Sequence, residues 1–158
     1  MTKLLGHWKI SKEFNPADYL GFLYFIENKI TNQGYVGKKQ FLIGKAKKKS
    51  PWLEYIGSSK HLKADIGKLG KENFTFEMID VYKTKGGLYY SEVYCQVVLN
   101  CLIDYININD KEIPRFYNRQ IAAVKFIPKE APTEKTIKFI QKIRKKYNGE
   151  NNREKSTM

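Results

Sequence analysis

Three groups of residues in this chain have the types and spacing to do chemistry. Tyr24 and Tyr35 stand eleven positions apart, on either side of a turn-rich segment that closes with Asn32-Gln33-Gly34. Glu92 is a lone acid near the start of an apolar helical stretch, and Tyr117-Asn118 follows that stretch. Lys38, Lys39, Lys45, Lys47, Lys48 and Lys49 form a basic run with no acid between residues 38 and 51. A single carboxylate suits Mg²⁺, which keeps several waters and needs few protein ligands. A tyrosine, with an ordinary pKa of about 10, is a poor base at neutral pH, although nearby positive charge favours its anion. Dense lysine suits phosphate.

The charge balance agrees. The chain has 29 Lys+Arg against 16 Asp+Glu in 158 residues, a net charge of +13. Such an excess calls for an anionic partner, nucleic acid first; an acidic protein partner would use the same charge. Hydrophobic residues at 42% and aromatics at 14% exclude a disordered chain. No apolar run approaches the ~18 residues of a membrane span, and the N-terminus reads as no signal peptide. Cys95 and Cys101 match no zinc or disulfide framework. The expectation is an intracellular, cytoplasmic protein with no membrane partner.

These residues need a scaffold. Gly21 opens the strand-forming run Phe22–Ile26, and Tyr35-Val36-Gly37 returns, so segments 22–27 and 33–38 pair as an antiparallel hairpin. Phe74, Phe76 and Met78 alternate with Thr75 and Glu77, which predicts a third strand over 73–81 with one buried face. Pro16 begins a short helical turn. Ser58 or Ser59 caps a helix over 60–69, with Leu62, Ile66 and Leu69 as its buried stripe and Gly70 as its stop. A second helix is expected over about 88–106, followed by a polar loop over 107–114. Gly44 and Pro51 argue against a long helix in 38–51. Thr133 caps a last helix over 134–147. The fold class is α+β, a small three-stranded sheet flanked by helices. The expected division is 1–20 as an extension packed through Trp8, Ile10 and Phe14, 21–127 as the domain, 128–149 as a linker and basic amphipathic helix, and 150–158 as a disordered tail.

In order and spacing these segments resemble the GIY-YIG nucleases, near the small phage-encoded and homing-endonuclease-like members. Gly21-Phe22-Leu23-Tyr24 stands at the first motif and Tyr35-Val36-Gly37 at the second. Gly57-Ser58-Ser59-Lys60-His61-Leu62, continuing through Lys68 to Phe74, resembles the second helix and third strand, so the likeness covers roughly residues 21–120. Tyr55-Ile56-Gly57 spells the second motif literally, but it lies 31 residues past Tyr24, too far for one hairpin. Tyr55 therefore reads as a structural or DNA-facing aromatic.

The resemblance implies an endonuclease that hydrolyses DNA phosphodiesters with Mg²⁺ (or Mn²⁺), in a setting such as a phage-infected cell. It implies Tyr24 as general base, Tyr35 in support of it or of the scissile phosphate, Glu92 as metal ligand, and Asn118 as the residue that orders the site. The family usually carries an arginine about ten residues past its second tyrosine. This chain has Lys45 there and no arginine before Arg115. Lys45, with Lys38 and Lys39 behind it, is left to supply charge without the bidentate fork of arginine. That departure supports an alternative, a catalytically weak or inactive nucleic-acid-binding accessory protein on the same scaffold. Further DNA contacts are expected at Lys47, Lys48, Lys49 and Lys60, and at Lys138, Lys142, Lys145 and Lys146 of the last helix. With no large recognition domain in the sequence, specificity is expected to be modest or to need a homodimer or protein partner.

Each group also has a plainer reading. Tyr24 and Tyr35 can be core aromatics, Glu92 a first-turn acid favoured by the helix dipole, Asn118 a turn residue, and the lysine run a solvated loop. The last helix can be a packing helix with a solvated face, a membrane-surface helix, or a helix docked by its apolar side while its basic side follows a DNA backbone. On the last reading, truncation after Lys129 leaves the domain folded.

Overall fold

The computed structural model describes residues 2–44 and 48–156, with side chains to residue 149. Along the chain run β1 (Lys3–Leu5), β2 (Trp8–Ile10), β3 (Gly21–Asn28), β4 (Gly34–Gln40), β5 (Leu42–Ile43), β6 (Lys48–Lys49), α1 (Lys60–Leu69), β7 (Phe74–Tyr82), α2 (Lys85–Val98), β8 (Tyr105–Ile108), β9 (Lys111–Pro114) and α3 (Glu134–Ser156). Short 3-10 turns cover Pro16–Asp18 and Trp52–Glu54.

The main sheet has the order β1-β2-β7-β3-β4. Strands β3 and β4 form the expected antiparallel hairpin, with Tyr24 opposite Gly37 and Ile26 opposite Tyr35. Strand β7 lies antiparallel on the other side of β3. The sheet has five strands where three were expected, because β2 joins β7 in parallel and β1 joins β2 antiparallel. Residues 1–20 therefore contribute strands as well as packing. Each added strand is three residues long, too short for its alternation to stand out, and the turn between them needs the left-handed φ of +59° at Gly6.

Every residue of β3 is buried, as befits a central strand covered on both faces. Phe22, Tyr24 and Ile26 face a cluster that includes Trp8, Trp52, Phe76 and the α1 residues Leu62 and Ile66. Leu23 and Phe25 face Leu88 and Cys95 of α2 and Phe139, Ile140, Ile143 and Tyr147 of α3. A bulge in β7 sets both Asp80 and Met78 against the adjacent Leu23 and Tyr24. The extra residue flips the strand's facing, so Tyr82 joins the α2–α3 side. There its hydroxyl meets Thr136 Oγ1 at 2.6 Å and accepts from Thr133 N, at the cap of α3.

The helices differ from expectation in their bounds. Ser59 caps α1 as expected, accepting from Leu62 N, and Gly70 ends it at φ +92°. Helix α2 starts earlier, where Thr84 Oγ1 accepts from Gly87 N. It stops at Val98 instead of near 106, because Asn100 turns left-handed at φ 58°. The expected polar loop over 107–114 is largely the β8–β9 hairpin, closed by left-handed Asn109 and Asp110. The expected linker is anchored: Glu130 Oε1 accepts from Thr84 N and Oγ1 at the start of α2. Helix α3 is sewn to β3 through Glu27, which accepts from Lys146 Nζ at 2.7 Å and Tyr147 Oη at 2.9 Å. Its backbone stays helical to Ser156, where a disordered tail was expected.

Candidate active site

Strand β4, the start of α1, one face of α2 and the segment after β9 enclose a cleft of about 510 Å³. Tyr35 and Lys38 come from β4, Ser58, Lys60 and His61 from the entry to α1, Glu92 and Gln96 from α2, and Tyr117, Asn118 and Arg119 from the last segment. That segment is held against the outer edge of β4. Gly34 N donates to Arg115 O at 3.0 Å, and Tyr117 N donates to Gly34 O at 2.8 Å. Asn118 continues the ladder with its side chain: Oδ1 accepts from Val36 N at 3.1 Å and Nδ2 donates to Val36 O at 2.8 Å.

Tyr35 and Glu92 are thus brought to one cavity from elements far apart in sequence. The Tyr35 hydroxyl pairs with Ser58 Oγ at 3.1 Å. Lys38 Nζ lies 3.8 Å from Glu92 Oε1 and 3.9 Å from the centre of the Tyr89 ring.

A family model described as "Putative endonuclease segE, GIY-YIG domain" matches residues 7–121. The chain belongs to the GIY-YIG family. The matched span runs from the edge of β2 past Asn118 and Arg119, and leaves out α3. The mixed α+β sheet-and-helix fold is that of a GIY-YIG domain, and a domain of this nuclease family has DNA as its substrate class. No curated protein and no solved structure matches the chain. Among the described residues no helix is long and apolar enough to cross a membrane.

Within this GIY-YIG domain the two motif tyrosines differ. Tyr24 is 1% exposed and is not among the cleft-lining residues. Its ring lies 6.1 Å from those of both Tyr35 and Tyr55. Gly37 is what admits it: a Cβ at that position would stand 2.3 Å from Tyr24 Oη. Burial, then Tyr35, Tyr55 and Glu92, push the Tyr24 hydroxyl well above the usual tyrosine range. Desolvation sets this direction, and no lysine is among its causes. Tyr35 is also raised, chiefly by burial, with the Ser58 hydrogen bond opposing.

The second tyrosine-glycine tripeptide reaches the same place. A Cβ at Gly57, whose φ is +90°, would lie 3.2 Å from the Tyr35 ring and 3.4 Å from Tyr24 Oη. Tyr55-Ile56-Gly57 therefore packs around the β3–β4 hairpin without being part of it, and Tyr55 carries Lys39 Nζ at 4.1 Å over its ring.

The Glu92 side chain is 13% exposed, and burial lifts its carboxyl above the usual range while Lys38 opposes. Among the described residues there is no group of three or more His, Cys, Asp or Glu that could hold a metal. A divalent ion here would rest on one carboxylate, neutral oxygens and water, which suits Mg²⁺. At the same cleft, Gln96 Oε1 is buried with no hydrogen-bond partner.

The basic residues divide. Lys38 and Lys60 line the cleft. Lys48 and Lys49 are exposed on β6, while Lys45 and Lys47 lie outside the described residues. Among the described residues of α3, Lys138, Lys142, Lys145 and Lys146 line no part of the cleft. Lys138 pairs with Glu134 at 3.0 Å, Lys142 with Glu77 at 3.3 Å and Lys146 with Glu27 at 2.7 Å, while Lys145 is exposed. Gln96 and Arg119 escaped the sequence reading, and Ser58 entered it only as a candidate cap and within the Gly57–Leu62 phrase. Arg119 directly follows Asn118, and its Nη1 donates to Phe116 O at 2.6 Å and Asn118 O at 3.1 Å, which anchors the guanidinium at the cleft. Adjacency to Asn118 and a spacing of four from Glu92 were the available signals for Arg119 and Gln96.

Proposed function

We propose that this GIY-YIG domain is a divalent-metal-dependent DNA endonuclease with the cleft as its active site. The observation that supports this most is the meeting of Tyr35, Lys38 and Glu92 in one open cavity with basic residues along it. Glu92 would hold Mg²⁺ or Mn²⁺, which when bound supplies charge stabilisation for phosphoryl oxygens and acidifies water. Lys38 and Arg119 present cationic charge to the scissile phosphate; Lys45 remains a candidate for the same task. The Tyr35 hydroxyl, neutral at pH 7 and paired with Ser58, serves as donor and acceptor that orients the attacking water or a phosphate oxygen. Tyr24 stands behind it as packing support. Asn118 fixes Val36 and hence the neighbouring Tyr35. Lys39, Lys48, Lys49 and Lys60 contact the DNA backbone. Specificity comes from a second copy or a protein partner.

The test is incubation of supercoiled plasmid with Mg²⁺, comparing the wild type with Glu92→Gln. Nicking or linearisation by the wild type, lost in the variant and in EDTA, is the expected result. Cutting that survives the substitution removes Glu92 as the metal ligand. One observation favours the catalytically weak alternative, the lack of any arginine before Arg115, with Lys45 where the family usually carries one. Salt-sensitive DNA binding with no cutting on any substrate would select it.

A further inference from the structure

Resting on the reading that Glu92 holds a divalent cation, we propose that Gln96 is a second positioning residue of that site, its amide oxygen accepting a hydrogen bond from a water of the cation's hydration shell. Gln96 follows Glu92 by four residues on α2, so the two share a helix face, and both line the cleft. Gln96 is 5% exposed. Its Nε2 donates to Val36 O at 3.2 Å. A carbonyl only accepts, so this bond fixes which end of the amide is which and leaves Oε1 in place as an acceptor. That oxygen is buried and unpartnered, and an unpaired buried acceptor is costly. Ser91 Oγ on the same helix is also unpartnered, but a hydroxyl can rotate to a helix carbonyl, whereas the Gln96 amide is pinned. A fixed neutral oxygen one turn from a single carboxylate is what a hydrated Mg²⁺ lacks at this site, and supporting groups of this kind commonly change metal affinity 10–100-fold.

The experiment titrates the full chain, without DNA, with Mn²⁺ as a stand-in for Mg²⁺, and reads free Mn²⁺ by electron paramagnetic resonance. Melting in EDTA checks that each variant folds. The wild type is expected to bind and Glu92→Gln to lose binding. Gln96→Met should weaken binding about 10–100-fold, while Gln96→Glu, which keeps an oxygen but loses the bond to Val36, should bind at least as tightly as the wild type. If both Gln96 variants weaken binding alike, the residue acts only through Val36 and the inference is overturned. Wild-type affinity in Gln96→Met overturns it too. Should Gln96→Met not fold, Gln96→Glu decides: binding no weaker than wild type supports the proposal and weaker binding defeats it. Failure of the wild type itself to bind Mn²⁺, with Glu92→Gln indistinguishable from it, removes the metal reading at Glu92 and this inference with it.

Discussion

Asn118 grips both backbone polar atoms of Val36, accepting from its N–H at 3.1 Å and donating to its carbonyl at 2.8 Å. It completes with a side chain the ladder that Arg115–Tyr117 begins along β4. Asn118→Ala leaves the buried Val36 N–H without a partner, at about 1–3 kcal/mol, while the Val36 carbonyl keeps Gln96 Nε2 at 3.2 Å. The expected outcome in urea denaturation is a loss of about 2 kcal/mol, with plasmid cutting reduced more than DNA binding. Asn118→Asp sets a carboxylate oxygen against the Val36 carbonyl and should be at least as damaging. Wild-type stability in both variants would mean that the grip does not hold β4.

Glu92→Gln separates stability from chemistry. In the cleft the carboxylate is largely buried, with Lys38 at 3.8 Å as its opposing charge. A neutral amide of the same shape removes the desolvation cost. Its melting temperature in EDTA should therefore equal or exceed that of the wild type, while Mg²⁺-stimulated cutting disappears. A markedly lower melting temperature would show instead that the Lys38–Glu92 pair stabilises the fold.

Helix α3 belongs to the core. Phe139, Ile140, Ile143 and Tyr147 are each 3–6% exposed, and burying four such side chains contributes roughly 6–12 kcal/mol. That is comparable to the whole stability of a domain, about 5–15 kcal/mol. Truncation after Lys129 also strips Glu27 of both Lys146 and Tyr147, and Thr84 of Glu130. The truncated chain should show no cooperative thermal transition. A transition within a few degrees of the full chain's would mean that α3 is a dispensable appendage.

What could be read from the sequence follows how local its causes are. The β3–β4 hairpin, the alternation of Phe74, Phe76 and Met78, and the Ser59 and Thr133 caps depend on neighbours a few residues away, and periodicity or capping chemistry exposes them. Strands β1 and β2 were hidden because three residues carry almost no period, and their pairing with β7 is a long-range event. The end of α2 was misplaced because Leu99, Cys101 and Ile106 keep an apolar pattern that the left-handed Asn100 interrupts. At the cleft, Glu92 and Tyr35 were visible as residue types. Gln96 and Arg119 are held at the cleft by Val36 O and by the carbonyls of Phe116 and Asn118, partners that no spacing rule announces. The burial of Tyr24 was equally illegible, since it depends on Trp8, Gly37 and Tyr55 from three separate segments.

A last prediction concerns pH. His7 stacks on Phe76 with ring centres 4.1 Å apart, and its Nε2–H donates to Tyr55 O at 2.9 Å. Nδ1 is buried without a partner, as suits a neutral ring. Burial first, and the charge of Lys71 second, lower its pKa from 6.5 to about 4, with the Tyr55 bond opposing. The unfolded chain takes up this proton near pH 6.5 while the folded chain refuses it until about pH 4. Between those values the unfolded state binds more protons, so folding stability falls as the pH is lowered. His7→Gln does not titrate and keeps a donor for Tyr55 O. Urea midpoints measured from pH 7 to pH 5, above most carboxylate titration, should decline more steeply for the wild type than for the variant. Parallel curves would show that His7 takes up its proton in the folded protein as readily as in the unfolded one, and that its stacking on Phe76 tolerates the charge.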